Sequence, residues 1–119
     1  MQYYLVGGAV RDMLAGQRPR DLDYVFEGDE TLFLREHPKA NSVGKAHGIY
    51  IVDGHEYAPL NGKTIEEDLS RRDFTVNALA LDCQGHLFMH PKALSDLAQK
   101  VLRPVSKTIF LDDALRVFR

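Results

Sequence analysis

Arg20-Asp21-Leu22-Asp23-Tyr24-Val25-Phe26 is the stretch that decides how this chain is read. Leu22 and the run 24–26 are β-prone, so the segment reads as a strand. Residues i and i+2 of a strand point to the same side, which sets the Asp21 and Asp23 carboxylates facing one spot. Two adjacent anions call for a cation. Hard oxygen donors suit Mg²⁺, which takes one or two carboxylates and completes its shell with water and substrate phosphates. A solvated strand face that carries two acids is the other reading of the same residues.

The neighbouring residues favour the metal. Upstream lies Tyr3-Tyr4-Leu5-Val6-Gly7-Gly8-Ala9-Val10-Arg11-Asp12, in which a short β-prone run meets a double glycine and then a helical stretch over residues 9–15. Glycines let backbone N–H groups approach a ligand closely, a helix start adds a positive dipole end, and Arg11 adds a charged donor. Gly7, Gly8 and Arg11 are thus candidates for a phosphate grip beside the aspartates. An ordinary tight turn before a helix uses the same residues.

Downstream, Glu66-Glu67-Asp68-Leu69-Ser70-Arg71-Arg72-Asp73-Phe74-Thr75-Val76-Asn77-Ala78-Leu79-Ala80 mixes charge with apolar residues. Thr64 and Glu67 have capping-box spacing, which starts a helix there. Asp73 and Asn77 share a face if one helix runs through both. Alternatively Asp73 is an N-cap and the segment breaks into two short helices. Arg72 is the candidate for phosphate charge, and Asp73 with Asn77 for sugar hydroxyls.

In this order the motifs resemble the catalytic head of class II tRNA nucleotidyltransferases, the CCA-adding enzymes, with the related bacterial poly(A) polymerases. The carrying residues are Leu5 to Asp12, Arg20 to Tyr24 and Glu67 to Leu79, together with Asp112-Asp113-Ala114-Leu115-Arg116-Val117-Phe118-Arg119 at the end of the sequence. Asp113, Arg116 and Arg119 fall on the family's Asp-x-x-Arg-x-x-Arg segment. The resemblance implies a polymerase-β-like α/β (α+β) fold, a mixed sheet with helices mainly on one side. It implies Mg²⁺ ions on Asp21 and Asp23, one activating an RNA 3′-hydroxyl and the other holding the triphosphate. Nucleoside triphosphates (CTP, ATP) and the 3′ end of tRNA or another RNA are the implied partners. It further implies nucleotide contacts from Gly7, Gly8, Arg11, Arg72, Asp73, Asn77, Asp113, Arg116 and Arg119. Poly(A) polymerase activity, or nucleotide binding without turnover, are the alternatives.

With 119 residues, the chain is long enough for one compact domain. The expected division is a head over residues 1–107 and the start of a neck helix over 108–119, with the downstream helical domain missing. A net charge of −2 lacks the basic excess of a self-sufficient RNA binder, although Arg11, Arg18, Arg20, Arg71 and Arg72 can form a local patch. The single cysteine, Cys83, excludes an internal disulfide and fits a cytoplasmic setting. His37, His47, His55, His86 and His90 show no metal-ligand spacing. No apolar run is long enough to span a bilayer.

The remaining elements read in alternation. A short helix is expected over residues 30–36 and a strand from 42. Strands over 49–52 and 55–58 flank Asp53-Gly54, which suits a type I′ hairpin turn. Extended pieces over 79–82 and 86–89 flank a turn, Ser95 caps a helix to Lys100, residues 101–105 are extended, and a last helix begins at 107 or 108. Glu56 sits on the second hairpin strand. There it is either a third catalytic carboxylate facing Asp21 and Asp23, or an acid beside a turn. Residues 58–64 depart from the resemblance. Relatives carry an arginine and a longer loop there, associated with the change from adding C to adding A, so the short form argues against A addition.

Overall fold

Tyr3 to Val6 supply side chains that fit a pleated, half-buried surface, and they form most of strand β1 (Gln2–Val6) in the computed structural model, which describes residues 1–43 and 48–105. Gly7 then turns the chain into helix α1 (Gly8–Leu14). Its φ of 69° lies in the left-handed region, where a side chain is strained. After a loop come β2 (Asp23–Glu27) and α2 (Glu30–Glu36), the latter capped by Asp29, whose carboxylate accepts from the Thr31 N–H. Strands β3 (Asn41–Val43), β4 (Ile49–Val52) and β5 (His55–Pro59) follow. Asp53 and Gly54 between the last two have φ of 52° and 82°, the two positive values that a type I′ turn requires.

Helix α3 (Ile65–Ser70) begins where the Thr64 hydroxyl accepts from the Glu67 N–H. Glu67 returns its carboxylate to the N–H of Lys63 rather than to that of Thr64. A 3₁₀ turn (Thr75–Asn77), strands β6 (Leu79–Asp82) and β7 (Leu87–Met89), and helix α4 (Ala93–Gln99) complete the described chain. The segment from Glu66 to Ala80 therefore breaks into two short helical pieces, the second capped at Phe74 rather than Asp73. Helix α4 starts before Ser95, because the Lys92 carbonyl already accepts the Asp96 N–H. The expected last helix, with Asp113, Arg116 and Arg119, lies outside the described residues, as does His47.

Among the described residues, seven strands join one mixed sheet in the order β3-β4-β5-β2-β1-β6-β7. Only β2 and β5 run parallel; the other pairs are antiparallel. Alternation along the strands divides the core between the two faces. One face carries Tyr4, Val6, Val25, Ala78 and Ala80 against Ile65 and Leu69 of α3. The other carries Leu5, Leu79 and Leu81 against Val10 of α1 and Ala93 of α4, and Phe26 and Tyr50 against Phe33 of α2. Among the described helices, α1, α2 and α4 thus pack on one face and α3 on the other. Phe26 and Phe33 are fully buried and stacked at 4.4 Å, a burial that contributes roughly 2–3 kcal/mol per ring.

Candidate active site

Strand β2 delivers Asp23 to the face that α3 only partly covers. In register, Asp23 lies beside Val6 of β1 and Glu56 of β5. The strand starts at Asp23, so Asp21 precedes it rather than sharing its pleat. The reason is topological. The residues that would pair with Asp21 are Gly8, already helical, and Gly54, already in a turn. Asp21 and Asp23 nevertheless line the same two clefts. One, of about 330 Å³, is walled by Gly8, Ala9, Arg11, Asp12, Gln17, Arg18 and Arg20. The other, of similar volume, is walled by Leu22, Ile51, Gly54 and Glu56. Partial desolvation, then the charge of Asp21, raise the pKa of Asp23 above its ordinary value; Arg72 and His55 pull it down.

The glycines divide their work. The Gly7 N–H is committed to the Leu79 carbonyl at 3.0 Å, and its own carbonyl accepts from Arg11, so Gly7 shapes the turn. Gly8 lines the arginine-walled cleft. A Cβ on it would lie 3.2 Å from the Arg11 guanidinium, so the missing side chain leaves that group its place. Arg11 donates to Asn77 Oδ1 at 2.8 Å, and Asn77 donates to Asp73 Oδ1 at 3.1 Å. Asp73 Oδ1 also accepts the Phe74 N–H. One relay therefore joins Arg11, Asn77 and Asp73.

Arg72 sits apart from this relay. It lines a third cleft, of about 270 Å³, with Val25, Ala58, Asn61 and Asp68. Its Nε and Nη2 both reach Asp68 Oδ1, at 2.9 and 2.8 Å. Beneath the Asp73–Asn77 turn, buried Asp96 accepts from the Thr75 hydroxyl at 2.6 Å and from Arg103 Nε at 3.0 Å. The Arg103 hydrogen bond, then that of Thr75, hold its carboxyl below the usual range. Gln17, Asp68 and Asp96 were not singled out by motif reading. Gln17 had one usable signal: it lies in the short loop between α1 and Asp21, tied to the cleft at both ends. A larger cleft, of about 520 Å³, is mostly apolar, lies between α3 and β7, and contains neither aspartate.

The donor set fits a hard divalent cation. Among the described residues, no three His, Cys, Asp or Glu are gathered closely enough to hold a metal. Glu56 shares a cleft with the aspartates without completing such a set. What remains is two neighbouring carboxylates whose mutual repulsion is felt at Asp23, a pattern that a hard divalent cation would relieve.

The sequence model of the Poly A polymerase head domain matches residues 3–61 and 54–103. The chain belongs to this family. It is 35% identical over 138 residues to the CCA-adding enzyme of Streptococcus mutans serotype c, covering 98% of this chain and 34% of that protein. It is 41% identical over 140 residues to the multifunctional CCA protein of Vibrio cholerae serotype O1, covering 100% and 34%. The crystal structure of the Bacillus stearothermophilus CCA-adding enzyme in complex with CTP superposes with a TM-score of 0.81 at 34% identity, over 98% of this chain and 33% of that one. The Thermotoga maritima CCA-adding enzyme complexed with tRNA-CCA superposes with a TM-score of 0.78 at 32% identity, over 98% and 31%. The head therefore spans about a third of these relatives. Alignments of 138 and 140 residues exceed its 119, so the relatives carry residues without a counterpart here. The two matched stretches overlap at β5.

Proposed function

We propose that this head transfers a nucleoside monophosphate from a triphosphate to an RNA 3′ end, with tRNA 3′-CCA addition or repair as its task. The observation that carries the reading is the position of Asp21 and Asp23 at the junction of two unlike clefts. The arginine-walled cleft suits a triphosphate, with Gly8 giving close approach and Arg11, Arg18 and Arg20 giving charge. The acidic cleft beside Glu56 suits the polymer's 3′-hydroxyl. Asp21 and Asp23 would hold Mg²⁺, which would supply Lewis acidity to the attacking hydroxyl and the departing pyrophosphate. The chain's own residues position the reactants and set the charge around them, which is most of what phosphoryl transfer asks of a protein. Asp73 and Asn77, fixed to Arg11, recognise the sugar. The tRNA substrate and the exposed lone thiol of Cys83 fit a cytoplasmic setting.

The short β5–α3 connection favours a second reading within this function, in which C is added and A is not. Incorporation of labelled CTP and ATP into tRNA lacking its 3′ end separates the two. The assay uses this chain alone and joined to the remainder of a relative. Mg²⁺-dependent incorporation of C supports the function, and later incorporation of A removes the second reading. No incorporation of either nucleotide by the joined protein removes the function.

A further inference from the structure

Asp68 is spent on two partners, and neither needs it for helix stability. Its side chain is 3% exposed. Oδ1 takes Nε and Nη2 of Arg72, and Oδ2 takes the Asn61 N–H at 2.8 Å. Arg72 lies beyond the end of α3, so the pair is not a surface i,i+4 bridge along a helix face. A buried ion pair of this kind contributes little net stability, since desolvation offsets the attraction, but it fixes geometry. Arg72 keeps 28% of its side chain exposed, in the cleft shared with Val25, two residues along β2 from Asp23.

Asn61 belongs to the short β5–α3 connection, and that connection is closed on itself. Arg71 donates to Asn61 Oδ1 at 3.0 Å, and the Lys63 N–H reaches Glu67. Gly62, at φ 126°, leaves the space that a Cβ would contest with Glu67, 2.8 Å from its Cβ. The connection thus ends on the same carboxylate that holds the arginine.

We propose that Asp68 is a positioning residue, aiming Arg72 at the charge of a triphosphate bound beside Asp23, with the closed connection fixing that aim through Asn61. This rests on the nucleotide reading above. The guanidinium fork meets one carboxylate oxygen with two nitrogens, so the orientation of the group is set as well as its charge.

The test is calorimetric titration of Mg²⁺-CTP into the full chain. Asp68→Asn should bind roughly tenfold more weakly, and Arg72→Ala by a similar factor. In the Arg72→Ala background, Asp68→Asn should add nothing, because its effect runs through the arginine. A purely structural Asp68 would keep its full effect in that background, which overturns the proposal. So does wild-type affinity in Asp68→Asn. Should that variant fail to fold, Arg72→Lys decides, since it keeps the charge and loses the fork: weakened binding supports the aim, and unchanged binding overturns it. Absence of Mg²⁺-CTP binding in the wild type removes the nucleotide reading and this inference together. Wild-type binding that Asp68→Asn leaves untouched removes this inference alone.

Discussion

Asp23 holds its charge against two influences, partial desolvation and the neighbouring Asp21. Its folded pKa is raised, so its contribution to stability is fully present below the unfolded pKa and is lost as pH rises through the folded value. At neutral pH, without metal, the ionised pair works against the fold. Asp23→Asn should therefore unfold at the wild-type midpoint or slightly above it, within about 0.5 kcal/mol, while Mg²⁺-CTP affinity falls roughly 10- to 100-fold. Thermal melts and calorimetry on the same sample check both halves, and retained affinity would remove Asp23 from the metal. Asp73 makes a different kind of prediction. Its Oδ1 is already shared between Phe74 and Asn77, so the carboxylate is fixed before any sugar arrives. A site built for a hydroxyl rejects the analogue that lacks it. Asp73→Ala should narrow the gap between CTP and dCTP binding, and an unchanged gap would make the residue structural.

At the scale of elements, the 3₁₀ turn with Asn77 is held from below by the stretch that follows α4. The Thr75 N–H bonds to the Arg103 carbonyl at 2.9 Å, the Val105 N–H bonds to the Asp73 carbonyl at 2.9 Å, and Phe74 pairs with Pro104. Asp96 ties α4 to both partners through its carboxylate. Its depressed folded pKa means stability that is present above the unfolded pKa and lost as pH falls through the folded value. Asp96→Asn should lower the urea midpoint at pH 7, with the gap to wild type closing below about pH 4. A gap that does not change with pH would mean that packing, not charge, holds the turn. None of this was legible in the sequence. Asp96 lies 21 residues from Thr75, and no local pattern announces a pair so distant. The Asp53-Gly54 hairpin and the Thr64 cap were legible, because each is decided by residues in contact along the chain.

Over the whole molecule, the described walls of the cleft proposed for the triphosphate are glycine, alanine, glutamine, arginines and carboxylates. In the proposed reading these side chains serve phosphate and metal, which leaves the base edge without a dedicated partner among them. Calorimetric affinities of this chain for Mg²⁺-CTP, ATP and GTP should agree within a few-fold; a strong preference would mean that the head reads the base itself. The sheet and its partly open face were largely legible from alternation and from the glycine turn. The strand boundary at Asp23 was not, because it is set by where β1 and β5 end. The destination of Arg72 was also hidden. Its charge read as free for phosphate, and only the fold shows Asp68 holding it.

Asp21 and Asp23 belong to two clefts at once, one opening toward the arginines and one toward Glu56. In the proposed transfer, a hydroxyl in one cleft and a pyrophosphate in the other would suit a direct in-line displacement, in which entry and departure lie opposite each other. The phosphorus atom of the proposed reaction would then turn inside out once per nucleotide added.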